Sequence, residues 1–295
     1  MMSRFTNILA VLDSSADASP LLQKLMTLSG PDTDISLIRV VYEGVADLKS
    51  KHIDVSAELK ELVLEAERSA LRDEVEATGT HIDKLTCAAL WNPRIWAGAL
   101  HAAASTAAEL IVKTSAASTN FAALRTPDDW NLLRHASTPV LLTQPRAWSA
   151  KPTVVAALDV YDPEHGELND RILAVAHDLA GQMNAELHLA SVFPMLSTWL
   201  DEVTTISSYH KLRKEIESEI FEEIATLTAE QGIEDFTSHA LEGLAVESMK
   251  RLLASVDADV LVIGTKARRG VAGLLLGNTA EKLLHEVDSD VLTVP

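Results

Sequence analysis

Residues 110–143 align without a gap on residues 261–294 at a constant offset of 151, so the chain carries one structural unit twice. Leu110 falls on Leu261, Thr114 on Thr265, Leu132 and Leu133 on Leu283 and Leu284, and Val140 on Val291. Near the start of each copy an apolar run ends in Leu-Asp, NILAVLD at 7–13 and TVVAALD at 153–159. That pair is offset by 146, which leaves about five extra residues inside the second copy. A repeat of this length is a whole domain written twice rather than a short solenoid unit. The spacing predicts domains at 1–145 and 146–295, joined near Gln144 to Pro152, where two prolines bracket QPRAWSAKP.

Within each copy, apolar runs alternate with helical patterns. Strands are predicted near 6–12, 35–42, 82–90, 109–114 and 139–143, and again near 153–159, 185–193, 235–241, 259–264 and 290–294. The clearest helices run from Ser56 to Thr78 and from Tyr209 to Gln231; in the second, Leu212, Ile216, Ile220, Ile224 and Leu227 recur every three or four residues. Strands that are apolar throughout need cover on both faces, and helical connections make them parallel. The chain therefore reads as α/β: two tandem doubly wound, Rossmann-like domains, each a five-stranded parallel sheet with helices on both faces.

Charge and composition narrow the partners. A net charge of −18 with a pI near 4.9 repels nucleic-acid backbones, and 4% aromatic content offers few stacking platforms for single strands. No nucleic-acid partner is expected. The amino terminus has no signal-peptide core and cleavage site, and no apolar run approaches the about 18 residues that span a bilayer. A cytoplasmic protein with no membrane partner is expected. The single cysteine, Cys87, lies in an apolar run and reads as a small core residue.

The segment ADVLVIGTKARRGVAGLLLGNT, 258–279, carries the most chemistry. A β-branched run stops at Gly264, a basic loop with Lys266, Arg268 and Arg269 follows, and Gly277-Asn278-Thr279 suits a helix start whose free N–H groups face an anion. A pair of glycines that serves only helix packing, with no ligand, explains the same residues. The basic cluster likewise reads either as a phosphate contact or as a solvated loop.

Gly264, two residues, Ala267, nine residues and Gly277-Asn278 resemble the nucleotide loop of the universal stress protein family, with alanine where that loop has its middle glycine. The segments TPDDWNLLRHASTPVLL and LGNTAEKLL narrow the resemblance to tandem proteins of the universal stress protein E type, and it covers both halves. The resemblance implies a role in the cellular stress response with no defined reaction, so no enzyme and no required cofactor. It further implies that the two domains pair within the chain, and a homodimer of such chains stays open. ATP is the implied ligand of the second domain, with Asp159, Gly264, Ala267, Arg268, Gly277, Asn278 and Thr279 as its site. An alanine methyl at Ala267 intrudes where backbone approaches phosphates, which predicts a weakened site.

The first half departs further. Lys113, Thr126 and Pro127 stand where the second has Gly264, Gly277 and Asn278, and proline removes one N–H from the helix start. No nucleotide is expected there. Asp13, the counterpart of Asp159, reads as a turn residue, and Lys113 reads either as a charge reaching over the sheet edge toward an acidic ligand or, more simply, as a solvated lysine. An alternative function rests on the apolar stretch 193–209, whose Phe193, Met195, Leu196, Trp199, Leu200 and Ile206 suit a pocket for an apolar or acyl ligand, or a lid on the protein's own core. ATP hydrolysis is a weaker third reading, because no metal and water-activating pair stands out. G-x-S-x-G, the P-loop pattern and H-E-x-x-H are absent, so no catalytic residue and no metal site is predicted.

Overall fold

The computed structural model describes residues 5–14, 16–43, 56–114, 127–194, 206–265 and 277–295. The chain divides into two compact units, the first running to Ala147 and the second from Trp148 to Val294.

The first unit runs β1 (Asn7–Val11), α1 (Ala18–Leu28), β2 (Asp34–Val41), α2 (Ser56–Thr78), β3 (Leu85–Trp91), α3 (Ile95–Ser105), β4 (Leu110–Thr114), α4 (Pro127–His135) and β5 (Val140–Thr143). Its strands lie in the order β3-β2-β1-β4-β5, every pair parallel. The second unit repeats the plan with β6 (Thr153–Leu158), α5 (Gly166–Met183), β7 (Glu186–Phe193), α6 (Ile206–Glu230), β8 (Thr237–Glu242), α7 (Ala245–Ser255), β9 (Val260–Gly264), α8 (Asn278–Glu286) and β10 (Asp290–Val294). Here the order is β8-β7-β6-β9-β10, again all parallel. In each sheet the connections reverse direction between the first and fourth strands, the switch point where doubly wound folds open a crevice.

The central strands are apolar because helices cover both faces. Leu9, Ala10, Val11, Leu110, Ile111 and Val112 are buried in the first sheet, as are Val154, Val155, Ala156, Val260, Leu261 and Val262 in the second. Edge strands are less enclosed, and Cys87 shows the consequence: on edge strand β3 it is half-buried rather than a core residue, and that partial burial pushes its thiol pKa up. Helix α6 buries Ile220, Ile224 and Leu227 but leaves Leu212 37% exposed. Its 25 residues span about 37 Å at helical rise, against about 20 Å for the six-residue strand β8, so the helix is much longer than the strand it leads into.

A carboxylate just before each fourth strand anchors the start of the first. Glu109 Oε2 accepts from the Thr6 and Asn7 N–H groups at 2.6 and 3.3 Å. Asp259, only 3% exposed, accepts from Ser149 N and Oγ at 2.9 and 2.8 Å and from Thr153 N at 3.0 Å. These bonds fasten the amino-terminal end of each sheet.

Candidate functional site

In the first unit β1 pairs with β4 in a register that sets Val11 against Lys113, so Asp13 follows directly beyond the strand end at the switch point. Lys113 is on a strand whose five residues are all buried, and its own exposure is 1%. Its Nζ donates to Asp13 Oδ2 at 2.7 Å and to the Thr114 carbonyl at 3.0 Å, and pairs with Asp129 Oδ1 at 2.9 Å. Asp129, in the first turn of α4, is fully buried. Burial alone would lower the Lys113 pKa, but the Asp129 and Asp13 carboxylates outweigh it and hold the ammonium above its ordinary value. Burial raises the Asp13 carboxyl, and Lys113 offsets this only in part.

This corrects the reading of Lys113 as a solvated lysine. The position lies on a central strand, where every side chain is covered, and two carboxylates are present to satisfy the charge. Asp13 is more than a turn residue as well: its carbonyl accepts from Ala16 N at 3.0 Å while its side chain holds the lysine. An internal ion cluster therefore occupies the switch point of the first unit.

The second unit builds the equivalent place differently. Gly264 stands where Lys113 stands, and Ala280 where Asp129 stands. A Cβ on Gly264 would lie 2.6 Å from Leu168 Cδ2, 3.0 Å from Leu168 Cγ and 3.1 Å from Ile172 Cδ1. Helix α5 therefore packs directly on this glycine, a sufficient structural reason for it. Gly264→Ala is expected to cost about 1–2 kcal/mol from overpacking, read as a lowered denaturant midpoint; an unchanged midpoint would show that α5 yields freely.

Gly277 is the opposite case. With φ −62° it needs no glycine for its backbone, and a Cβ there meets nothing within 4 Å among the described residues. It caps α8 without any side-chain hydrogen bond, and Asn278 and Thr279 at the helix start are exposed. Helix starts leave N–H groups without intrahelical partners, and the N-cap residue here supplies no side-chain acceptor for them.

Asp159 lies directly beyond β6 with its side chain 54% exposed. Its peptide is fixed by buried Asn169, whose Oδ1 accepts from Asp159 N at 3.0 Å and whose Nδ2 donates to the Asp159 carbonyl at 2.8 Å. With no lysine to hold it, the carboxylate turns outward and meets His165 Nδ1 at 3.0 Å.

Ala267 and Arg268, with Lys266 and Arg269, lie outside the described residues, as do Met195, Leu196, Trp199 and Leu200 of the apolar stretch. Ile206 opens α6, but its side chain is also outside them. Phe193 ends β7 at 1% exposure, so its ring belongs to the core rather than to an open wall.

Sequence reasoning missed Asp129. The repeat alignment held the signal: Lys113 and Asp129 in one half face Gly264 and Ala280 in the other, so both members of a charge pair change together to small uncharged residues. A paired loss of opposite charges between copies marks spatial contact.

The universal stress protein family's model matches residues 153–295, the second unit. A crystal structure from Pseudomonas aeruginosa UCBPP-PA14, assigned to the universal stress proteins, is 30% identical, covers 99% of this chain and 94% of that one, and superposes with a TM-score of 0.69. The chain belongs to the universal stress protein family. Universal stress protein E of Escherichia coli K12 is 25% identical across 99% of this chain and 95% of its own length. A universal stress protein from Archaeoglobus fulgidus, 16% identical, shares the fold over 99% of this chain and 98% of that one at a TM-score of 0.65. All three similarities span the two units, so the relatives match along both halves of this chain. Membership of the family brings with it a place in the stress response. No described helix is long and apolar enough to cross a membrane.

Proposed function

We propose that the protein is a ligand-responsive, non-catalytic universal stress protein whose second domain takes an adenine nucleotide such as ATP and whose first domain takes none. The observation that supports this reading is the contrast at the switch point. Asp13 is bound to an internal ammonium, whereas Asp159, at the same place in the other copy, presents an outward carboxylate. That carboxylate suits an amino group of the base, and the start of α8, capped by a glycine without a side chain, suits phosphate.

Calorimetric titration of the full chain with ATP, ADP and AMP tests the reading. One binding event per chain is expected, weakened about tenfold by Asp159→Ala, the loss of one hydrogen bond to a charged group. Absence of heat at millimolar nucleotide would sink nucleotide sensing. Two events per chain would show that the ion cluster leaves the first crevice open.

A further inference from the structure

Beyond β6 the chain reads Asp159-Val160-Tyr161-Asp162-Pro163-Glu164-His165, and the described residues bring Asp159, Asp162 and His165 together with one potential ligand atom each, all within 4.8 Å. The spacing of three explains the grouping. Residues 163–165 form a 3-10 turn, whose three residues per turn set Asp162 and His165 on one edge. Asp162 Oδ1 accepts from Glu164 N at 3.0 Å, which locks the start of the turn and leaves Oδ2 facing His165 Nδ1 at 3.9 Å. Asp159 Oδ2 lies 3.0 Å from the same nitrogen.

We propose that Asp159, Asp162 and His165 form a binding site for a borderline divalent transition-metal ion such as Zn²⁺ or Co²⁺. Metal–ligand bonds of about 2.1 Å in a tetrahedral site put ligand atoms about 3.4 Å apart. The 3.0 and 3.9 Å separations from His165 Nδ1 bracket that value, and the carboxylates, within 4.8 Å of each other, come closer with a small rotation of the exposed Asp159 side chain. One imidazole nitrogen with two carboxylate oxygens selects ions that accept both donor types, and discriminates against Mg²⁺ and Ca²⁺, which prefer all-oxygen shells. Three protein ligands leave coordination positions open to water or to an anionic oxygen. Asn169 serves as a positioning residue, because it grips the Asp159 peptide on both sides and fixes the direction from which the carboxylate approaches.

Patterns built on cysteine and paired histidines do not find this site, because its only nitrogen donor is single and its spacing belongs to a 3-10 turn. The site shares Asp159 with the nucleotide reading but does not rest on it. It needs no nucleotide to form, and a monodentate Asp159 keeps its second oxygen for another donor.

Titration of the full chain with Co²⁺ alone, followed by its visible d–d absorption, tests the site. One equivalent is expected to give the band, Zn²⁺ is expected to abolish it, and Mg²⁺ to leave it unchanged. His165→Gln and Asp162→Asn should each weaken binding more than about tenfold, the least that partners of a metal site contribute. Asparagine still caps the turn, so a loss in Asp162→Asn reports ligation and not folding. His239→Gln, at the separate His188–His239 pair on β7 and β8, should leave the band intact. A band that survives His165→Gln, or no band at millimolar Co²⁺, overturns the proposal. No nucleotide is present, so either result leaves the nucleotide reading where it stands.

Discussion

Lys113→Met is expected to lower the stability of the first domain by about 3–5 kcal/mol, the usual cost of leaving a buried charge without its partner. The ammonium it removes lies 2.7 Å from Asp13 and 2.9 Å from a fully buried Asp129, so two carboxylates lose a cation they share. Adding Asp129→Ala, which copies the small residue of the second domain, is expected to restore much of that loss. A double-mutant cycle in denaturant should give a coupling of about 2 kcal/mol or more. Additivity of the two substitutions would show that the cluster does not hold the domain.

The pH dependence follows from the direction of the Lys113 shift. Its folded pKa lies above the ordinary 10.5, so its contribution is complete below 10.5 and is lost as pH rises through the raised value. Wild type should therefore show an alkaline loss of stability that Lys113→Met lacks. Thermal midpoints measured on either side of pH 10.5 check this, and parallel curves for the two proteins would contradict it.

Asp259→Ala is expected to cost about 2–4 kcal/mol in the second domain, since hydrogen bonds to charged acceptors contribute about 1.5–3 kcal/mol each and do not add fully. It strips an acceptor from Ser149 N, Ser149 Oγ and Thr153 N, and the Thr153 N–H bond is buried. Asp259→Asn keeps one carbonyl oxygen and should lose about half as much. Amide exchange at Thr153 is the local readout: protection there should fall with the thermal midpoint. Unchanged protection in Asp259→Ala would show that the strand start is held by the sheet alone.

The strands were legible because burial on both faces forces unbroken apolar runs, and the repeat supplied each element twice. Helix α2 falls on the predicted Ser56–Thr78, where a long amphipathic pattern leaves no alternative. Helix α6 begins at Ile206, one turn ahead of the predicted Tyr209. Asp159 and Gly277 were legible as strand-end and helix-start residues. Gly264 was legible as a glycine, but the reason for it, the approach of Leu168 and Ile172, comes from an element about 90 residues away in sequence. Lys113 was misread for a related cause: a lysine is solvated by default, and only the positions of Asp13 and Asp129 make burial affordable.

By itself the sequence determined the class of fold, its duplication, and the asymmetry between the copies, because those rest on periodicity and on the alignment of one half with the other. Tertiary structure alone decided what that asymmetry does. Asp13, Lys113 and Asp129 are separated by about 100 and 16 residues, and only the parallel register of β1 and β4 and the placement of α4 bring their charges within hydrogen-bond reach. The same geometry without the lysine leaves Asp159 facing outward toward Asp162 and His165. Electrostatic contact depends on distance in space, which a linear pattern of residue types does not encode.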